Sequence, residues 1–367
     1  MTDEKVLAVF LSHSVSDLHG LEPKHFNDIA RAQLELRREP ARAADLGSLA
    51  TCFRLVDDPQ EADIHLLPLT WNWYVGSSRV QMVGEAVEQG KRWGKPIVLF
   101  STGDYTAKVP FSGLTIFQPC AYRSRRFENG NRVFAMPAFI PDFVQLYCGG
   151  QLPLRQKGPR PVVGFCGLAG GKWYQLAYRW MKLQAHRAAF RLGFNPWEPP
   201  PFEPTIFRRR VLALLEACPD IECKFILRDK YRAGYRAPKK DPFHPTRLEY
   251  VQNMLDSDYI VCMRGGNFSV RFYETLSMGR IPLFIDSDCL LPYAGLVNYS
   301  QYFPHVTLSE VNKIAERIQA FHFILDQENF LTIQTLCYEL WRRYFSRDGF
   351  FQHFKQHFTL LSCEAIH

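Results

Sequence analysis

Short continuous apolar runs, each followed by a polar or glycine-bearing loop and then a helix-like stretch, constrain the fold of this chain more than any other feature. The runs are VLAVFL from residue 6, DIHLLPL from 63, PIVLF from 96, PVVGFCG from 161, CKFILR from 223, DYIVCM from 258 and IPLFI from 281. Unbroken rather than alternating apolar residues are typical of strands buried on both faces, as in parallel sheets covered by helices. The pattern therefore predicts an α/β fold.

The chain length and one segment rich in glycine, proline and charge predict two domains. At roughly 150 residues per domain, 367 residues correspond to two domains with an additional segment. The sequence GGQLPLRQKGPRP separates two series of strands and helices. We expect a first domain over residues 1–155, a second over 156–330 and a helical segment over 331–367 that packs back on the body.

Composition excludes several classes of protein. Hydrophobic residues make up 47% and aromatic residues 14% of the chain, which excludes long disorder. The net charge of +7 is far below that of a nucleic-acid-binding protein. The ten cysteines are scattered without a C-x-x-C pair, so neither zinc nor a disulfide framework is expected. The acidic start lacks the form of a secretory signal and no apolar run reaches membrane-spanning length, which predicts a cytoplasmic protein.

The segment DYIVCMRGGNFSVRFYETLSMGRIPLFIDSDCLLP carries the strongest chemical signal. It predicts a buried strand over 258–263, a tight loop over 264–267, a helix over 268–278 and a second strand over 281–285. Ligands of such βαβ units bind outside the carboxyl ends of the strands, where loop glycines and the first helical N–H groups favour an anion. We therefore expect a phosphate group at this loop.

Three polar residues fall on one face of the predicted helix. Asn267, Arg271 and Glu274 are spaced i, i+4 and i+7. The planar guanidinium of Arg271 is suited to a diphosphate, and the carboxylate of Glu274 to the two hydroxyls of a ribose. The alternative is a helix cap at Asn267 or Ser269 with a surface ion pair between Arg271 and Glu274.

The run RGGNFSVRFYETLSMGRIPLFIDSDCLLP resembles the signature of the exostosin-like glycosyltransferases, family 47, in its Arg-Gly, Arg-x-x-Glu, Gly-x-Ile-Pro and Leu-Pro elements. The segments SDYIVCM, GKPIVLFSTGD and MPAFIPDF are also similar to that family. The resemblance implies a GT-B architecture, in which two Rossmann-like domains with parallel sheets face each other across a cleft. The C-terminal domain of this architecture holds the nucleotide sugar, and a C-terminal helix crosses back.

By position, the resemblance assigns the diphosphate to Arg264 and Arg271 and the ribose hydroxyls to Glu274. It implies inverting transfer of a sugar from a nucleoside-diphosphate donor, with a UDP-sugar favoured, to a hydroxyl of a glycan or a lipid-linked glycan. Cationic groups would offset the charge of the leaving diphosphate, so no metal or other cofactor is expected. The other predicted members of the donor cradle lie in the same loop and first turn: Gly265, Gly266, Asn267 and Ser269.

Two further features bear on the donor site. The basic stretch over 228–247 follows a predicted strand, and Arg228 is its best candidate for binding donor phosphates or an acidic acceptor; the alternative is a solvated loop. Asp286 and Asp288 form the D-x-D pattern with which GT-A glycosyltransferases hold a divalent metal. A metal-dependent GT-A-like enzyme is thus the alternative reading, although Asp286 is also suited to cap the following turn.

An inverting transfer needs a base that deprotonates the acceptor hydroxyl, and we expect it in the first domain. Asp104 follows the strand PIVLF and His13 follows VLAVFL, which makes them the two candidates, in that order. Trp71 and Trp73 either stack on a sugar or pack in the core.

Other patterns predict no chemistry. GFCGLAGGK is not a phosphate-binding P-loop, because Cys166 and Trp173 stand where that motif needs glycine and serine or threonine. His353 and His357 lack a third ligand and are expected on a solvated face. The aromatic C-terminal segment is expected to pack on the body, with contact to a membrane surface as the alternative. A non-catalytic scaffold with the same fold is the alternative to an enzyme.

Overall fold

The computed structural model describes residues 6–13, 18, 20–119, 121–230, 241–265 and 269–358. These residues form two α/β domains, each built around a largely parallel sheet. The predicted α/β class is confirmed, and the pair of sheets is that of a GT-B fold.

The first sheet has seven strands in the order β2-β1-β3-β4-β5-β7-β6, all parallel except for the β6–β7 hairpin. In chain order its strands are β1 (Leu7–Leu11), β2 (Phe53–Leu55), β3 (Ile64–Leu66), β4 (Ile97–Phe100), β5 (Leu114–Gln118), β6 (Phe127–Glu128) and β7 (Asn131–Ala135). The helices of this part of the chain are α1 (Asp28–Arg38), α2 (Ala43–Leu46), α3 (Ser48–Thr51), α4 (Trp71–Gly76), α5 (Val80–Trp93) and α6 (Phe143–Tyr147).

The second sheet has five parallel strands in the order β12-β11-β10-β8-β9. In chain order they are β8 (Val162–Leu168), β9 (Glu222–Arg228), β10 (Tyr259–Cys262), β11 (Ile281–Asp286) and β12 (His305–Thr307). The helices here are α7 (Trp173–Arg191), α8 (Pro204–Glu216), α9 (Pro245–Leu255), α10 (Val270–Ser277), α11 (Ile314–Ile324), α12 (Gln327–Leu340) and α13 (Arg347–Gln352).

All seven apolar runs are strands, as predicted, because each is buried between helices or lies beside a buried strand. Five other strands, β2, β5, β6, β7 and β12, were not predicted from the sequence. The helix predicted over 268–278 is observed as α10. It ends before Gly279, which adopts the left-handed conformation at a φ of 66°.

Each sheet has one point at which the strand order reverses, between β1 and β3 in the first domain and between β8 and β10 in the second. The connections on either side of such a point leave in opposite directions, so the carboxyl ends of the two strands border a crevice. Ligands of open α/β sheets bind in this crevice. The two switch points are therefore the places where the fold itself provides a site.

The two domains are joined by a short antiparallel contact. Tyr122 of the first domain pairs with Cys289 of the second. The amide of Leu290 donates to the carbonyl of Ala121 at 3.1 Å, and the amide of Arg123 donates to a carbonyl of the second domain at the same distance. This contact lies directly after β11 and positions the first domain against the carboxyl edge of the second sheet.

The C-terminal segment returns to the first domain. Asp348 accepts hydrogen bonds from the amide and the hydroxyl of Ser48 at 2.8 and 2.7 Å. Phe354 is fully buried and lies 4.7 Å from Phe117 between ring centroids. Because these aromatic side chains are buried, the alternative that they contact a membrane surface is wrong.

His357 is buried in the same cluster, so the expectation of a solvated face is wrong for this residue. Its ring stacks on Tyr293 at a centroid distance of 4.5 Å. Burial lowers the pKa of His357 to about 3, so the imidazole is neutral at physiological pH and packs as an aromatic ring.

We expect Phe354→Ala to lower the free energy of unfolding by about 3–5 kcal/mol, because it leaves a cavity between the C-terminal segment and the first sheet. Urea denaturation followed by circular dichroism measures the change. Phe323→Ala is the matched control, since that ring is 60% exposed. Equal, small effects of both substitutions would contradict the packing role of Phe354.

Candidate functional site

Glu274 is held by two side chains from the first turns of α9. The guanidinium of Arg247 donates to its Oε1 at 2.8 Å, and the hydroxyl of Tyr250 donates to its Oε2 at 2.5 Å. Burial raises the pKa of Tyr250 well above its ordinary value, and the charge of Glu274 acts in the same direction. The hydroxyl of Tyr250 therefore stays protonated and serves as a neutral donor to the carboxylate.

Arg271 lies one turn before Glu274 and reaches across the switch point to β8. Its guanidinium carbon is 4.2 Å from the ring centroid of Phe165, and its Nη2 donates to the carbonyl of Cys166 at 2.8 Å. A Cβ atom at Gly167 would lie 2.7 Å from that Nη2, so a larger residue there would displace the guanidinium from this position. The Nε of Arg271 is buried and has no hydrogen-bond partner in the part of the chain that the structure describes.

Arg228, at the end of β9, also contacts α9. It donates to the carbonyl of Thr246 at 3.0 Å and forms an ion pair with Glu249. α9 begins at Pro245, so Arg247 is helical and does not belong to the basic loop that the sequence suggested. The first turns of α9 thus fix two charged side chains that the sequence places at the donor site, Glu274 and Arg228.

The loop before α10 is described in part. Gly265 is exposed, and Ser269 occupies the N-cap position of α10 without a side-chain cap bond. The predictions for Gly266 and Asn267 lie outside the described residues. The alternative of a surface ion pair between Arg271 and Glu274 is wrong, because Glu274 is buried and Arg247 is the cation that it binds.

Arg264 is buried at the domain contact, with 1% of its surface exposed. Its Nε donates to the hydroxyl of Ser287 at 2.8 Å, and its guanidinium carbon lies 4.3 Å from the ring centroid of Tyr122. Its Nη2 donates to the carbonyls of Ala121 and Asp288 at 3.4 and 3.2 Å. Its Nη1 is buried without a hydrogen-bond partner among the described residues. The side chain therefore joins the two domains and keeps one unsatisfied donor group.

Asp286 is engaged by the same contact. Its Oδ2 accepts a bond from His305 at 3.0 Å and forms an ion pair with Arg123, while its Oδ1 caps the amide of Cys289 at 2.7 Å. Burial acts to raise the pKa of Asp286, but the bonds from His305, Cys289 and Arg123 outweigh it and lower the pKa to about 2. The carboxylate is thus ionised, and both of its oxygens bind hydrogen-bond donors of the protein.

Asp288 is engaged as well, since its carboxylate accepts the amide of Ser124 at 3.0 Å and the hydroxyl of the same residue. Within the residues that the structure describes, no three His, Cys, Asp or Glu side chains are arranged to hold a metal ion. The D-x-D pair therefore acts as part of the domain contact in this structure, which disfavours the GT-A-like alternative.

Helix α4 organises the switch point of the first domain. The hydroxyl of Tyr74 lies 2.7 Å from the Nε2 of His13, which follows β1. Asn72 accepts the amide of Thr102 at 2.7 Å and so fixes the loop after β4, in which Asp104 is exposed. The structure thus brings both predicted bases to loops that one short helix connects.

The two tryptophans of α4 differ in exposure. Trp71 is 1% exposed, and its indole N–H donates to the carbonyl of Ala107 at 3.0 Å. Stacking on a sugar is therefore wrong for Trp71, which packs in the core. Trp73 is half-buried beneath the guanidinium of Arg79.

A cavity of about 480 Å³ lies beside His13. Hydrogen-bonding groups of Asp57, Glu85 and Gln89 line it together with Phe10. It is formed by first-domain residues only, so it is separate from the Glu274 cluster.

Sequence reasoning missed Arg247, Tyr250 and Phe165. For the first two a signal existed, because His244 and Pro245 mark the start of a helix: Pro245 occupies its first turn and the ring of His244 accepts the amide of Thr246. Phe165 carries no such signal, since it reads as one apolar residue within a buried strand.

No family model matches the chain, and no curated protein matches it. Solved structures of spinosyn rhamnosyltransferase SpnG show a distant likeness. The complex with thymidine diphosphate is 14% identical over 91% of this chain and 95% of that chain, with a TM-score of 0.29. A second structure, described only as spinosyn rhamnosyltransferase SpnG, is 14% identical over 88% of this chain and 76% of that chain, with a TM-score of 0.32. The complex with spinosyn aglycone is 13% identical over 94% and 98%, with a TM-score of 0.29.

We expect Asp286→Asn to destabilise the protein by about 2.5 kcal/mol at pH 7, because the pKa is lowered from 3.8 to about 2 and each unit contributes about 1.4 kcal/mol. The lowered pKa gives stability that is present above about pH 4 and is lost as the pH falls towards 2. Urea denaturation at several pH values measures the difference. A deficit of the same size at pH 7 and pH 3 would contradict this account, and Asp45→Asn, on the exposed surface, is the control.

Proposed function

We propose that this chain is a glycosyltransferase of the exostosin-like kind, which transfers a sugar from a nucleoside diphosphate to a hydroxyl of a glycan or lipid-linked glycan. The observation that carries the proposal is the Glu274 carboxylate, fixed by Arg247 and Tyr250 beside Arg271 at the switch point of the second domain. A carboxylate held next to a stacked guanidinium is suited to a nucleoside diphosphate, in which the ribose hydroxyls and the diphosphate belong to the same ribose.

Glu274 would accept the ribose hydroxyls. We call Arg247 and Tyr250, with the carboxylate that they hold, the Glu274 clamp. Each carboxylate oxygen can accept two hydrogen bonds, and the clamp uses one on each oxygen. Two acceptor positions remain for the adjacent O–H groups of the ribose. Arg247 also places a positive charge against the carboxylate, at 2.8 Å from its Oε1. Arg247 and Tyr250 are thus positioning residues for Glu274.

Arg271 would bind the diphosphate. Stacking on Phe165 and the bond to Cys166 fix the plane of its guanidinium, while the buried Nε is left to donate to an anion. Arg228 adds positive charge at the end of the neighbouring strand, and Arg264 adds it at the end of β10. These guanidinium groups would offset the charge on a leaving diphosphate, so we propose that the transfer needs no metal. We propose UDP as the favoured nucleotide.

The acceptor would enter from the first domain. Inversion requires a base on the side of the sugar opposite the leaving diphosphate, and Asp104 is the first candidate because it is exposed on the loop that Asn72 fixes. His13, oriented by Tyr74, is the second. The cavity beside His13 offers carboxylate and amide oxygens to acceptor hydroxyls.

We expect titration calorimetry with UDP, GDP and TDP, each with and without EDTA, to show binding of UDP that EDTA does not change. Glu274→Gln should weaken binding by about 10- to 100-fold, because a bond to a charged group is worth about 1.5–3 kcal/mol. Tyr250→Phe should weaken it by about tenfold, since one anchor of the carboxylate is lost. Glu216→Gln, on the exposed end of α8, is the matched control.

Unchanged affinity of a folded Glu274→Gln variant would overturn the assignment of that residue. Binding that requires a metal would favour the role of Asp286 and Asp288 in a metal-dependent enzyme. Binding of nucleotide without turnover of any nucleotide sugar would favour the scaffold.

We expect Asp104→Asn to lower kcat by about 10²–10⁴-fold, the usual contribution of a general base, without a change in the Kd for UDP. Donor binding is unaffected because Asp104 belongs to the first domain. Initial rates with a UDP-sugar and calorimetry with UDP separate the two quantities, and Glu61→Gln is the control in the same domain. Full activity of Asp104→Asn combined with an inactive His13→Asn would transfer the role to His13.

A further inference from the structure

Helix α7 presents an apolar face to solvent. Tyr174, Tyr178, Met181 and Ala185 follow the spacing i, i+4, i+7 and i+11, which places them on one stripe, and all four are exposed. In a helix of a globular domain such a stripe ordinarily faces the core. Here only Leu183, on the opposite side of the helix, is buried.

The exposed surface extends beyond that stripe. Trp173 and Trp180, spaced i and i+7 on the adjoining side of the helix, have 79% and 52% of their surfaces exposed. Leu192 and Phe194 continue it past the end of the helix, where Phe194 is 81% exposed. We call these residues, with the four of the stripe, the α7 surface. Contiguous exposed apolar side chains of this size mark an interaction site.

The charged side chains carried by the α7 segment itself are all positive. Residues 172–197 contain five lysines and arginines and no aspartate or glutamate. Two of these cations serve the fold, since Arg179 donates to the carbonyl of Asp229 and Arg187 to that of Pro200. The other three, Lys172, Lys182 and Arg191, are exposed along the helix. A partner of this surface therefore combines apolar and anionic character.

We propose that the α7 surface docks the protein on a membrane that contains anionic lipid. Tryptophan and tyrosine side chains are favoured at the level of lipid headgroups, and flanking lysine and arginine bind anionic headgroups while their stems stay in apolar surroundings. α7 lies in the plane of the interface. None of the helices in the described part of the chain is long and apolar enough to cross a bilayer.

Two other occupants fit the surface less well. A symmetric dimer through α7 would bring Lys182 and Arg191 against the cations of a second copy, with no acid in the segment to offset them. An acidic glycan would pair with the cations but would leave the central Met181 and Ala185 without an apolar partner.

The location of α7 gives the docking a consequence for the site. The helix begins at Trp173, five residues after the end of β8 at Leu168, at the carboxyl edge where Arg271 contacts that strand. A protein docked through α7 holds this edge next to the lipid surface.

Flotation with vesicles tests the proposal on the full chain. We expect binding to vesicles of phosphatidylcholine with about 30% phosphatidylserine and weak binding to phosphatidylcholine alone. Lys182→Gln with Arg191→Gln should lower the partition coefficient by roughly fivefold for each cation removed. Tyr178→Ser with Trp180→Ser should lower it by at least about tenfold, because both rings leave the interface.

Phe323→Ser with Ile324→Ser is the matched control, since these residues form another exposed apolar pair, 60% and 80% exposed at the end of α11. This variant should bind as the unchanged protein does. Equal losses in the control and the α7 variants would overturn the proposal, as would the absence of flotation with both vesicles. A solution dimer that Tyr178→Ser with Trp180→Ser dissociates, or retention on polygalacturonate without vesicle binding, would instead assign the surface to a second copy or to an acidic glycan.

Discussion

The buried guanidinium of Arg264 is the interaction on which the arrangement of the two domains depends. A buried cation is stable only when polar and aromatic groups surround it, and Arg264 finds them on both sides of the domain contact, in Ser287 and Tyr122. The neighbouring carboxylates of Asp286 and Asp288 then bind first-domain donors. The contact therefore fixes the orientation of the two domains, because rotation of one domain would leave these charges without partners.

The clamp around Glu274 illustrates how the fold builds a site from separate elements. The carboxylate comes from α10 and its two hydrogen-bond donors, Arg247 and Tyr250, come from α9. The ring of Phe165, on which the guanidinium of Arg271 stacks, comes from β8. Parallel strands place their carboxyl ends at one edge, so residues distant in sequence meet there. The carboxylate is held in place because both of its oxygens are hydrogen-bonded and its two anchors lie on one helix.

The sequence allowed prediction of the elements that are buried on both sides and of the residues that share a helix face. Strands such as β4 and β10 consist only of buried apolar residues, so their pattern is unambiguous, whereas β12 has three residues and one exposed end. Arg271 and Glu274 were predicted from their spacing. Their partners were not, because Arg247 lies 27 residues before Glu274 on another helix and only the tertiary fold brings the two together.

The return of the C-terminal segment has a consequence for the order in which the chain acquires its structure. The face of the first sheet that carries Phe100 and Phe117 is covered by Phe354, which is synthesised about 250 residues later. At roughly 5–20 residues per second, the ribosome needs tens of seconds to synthesise the chain as far as Phe354. During this interval the aromatic face of the first sheet stays uncovered, and exposed apolar surface of this kind is what makes a nascent chain prone to aggregation.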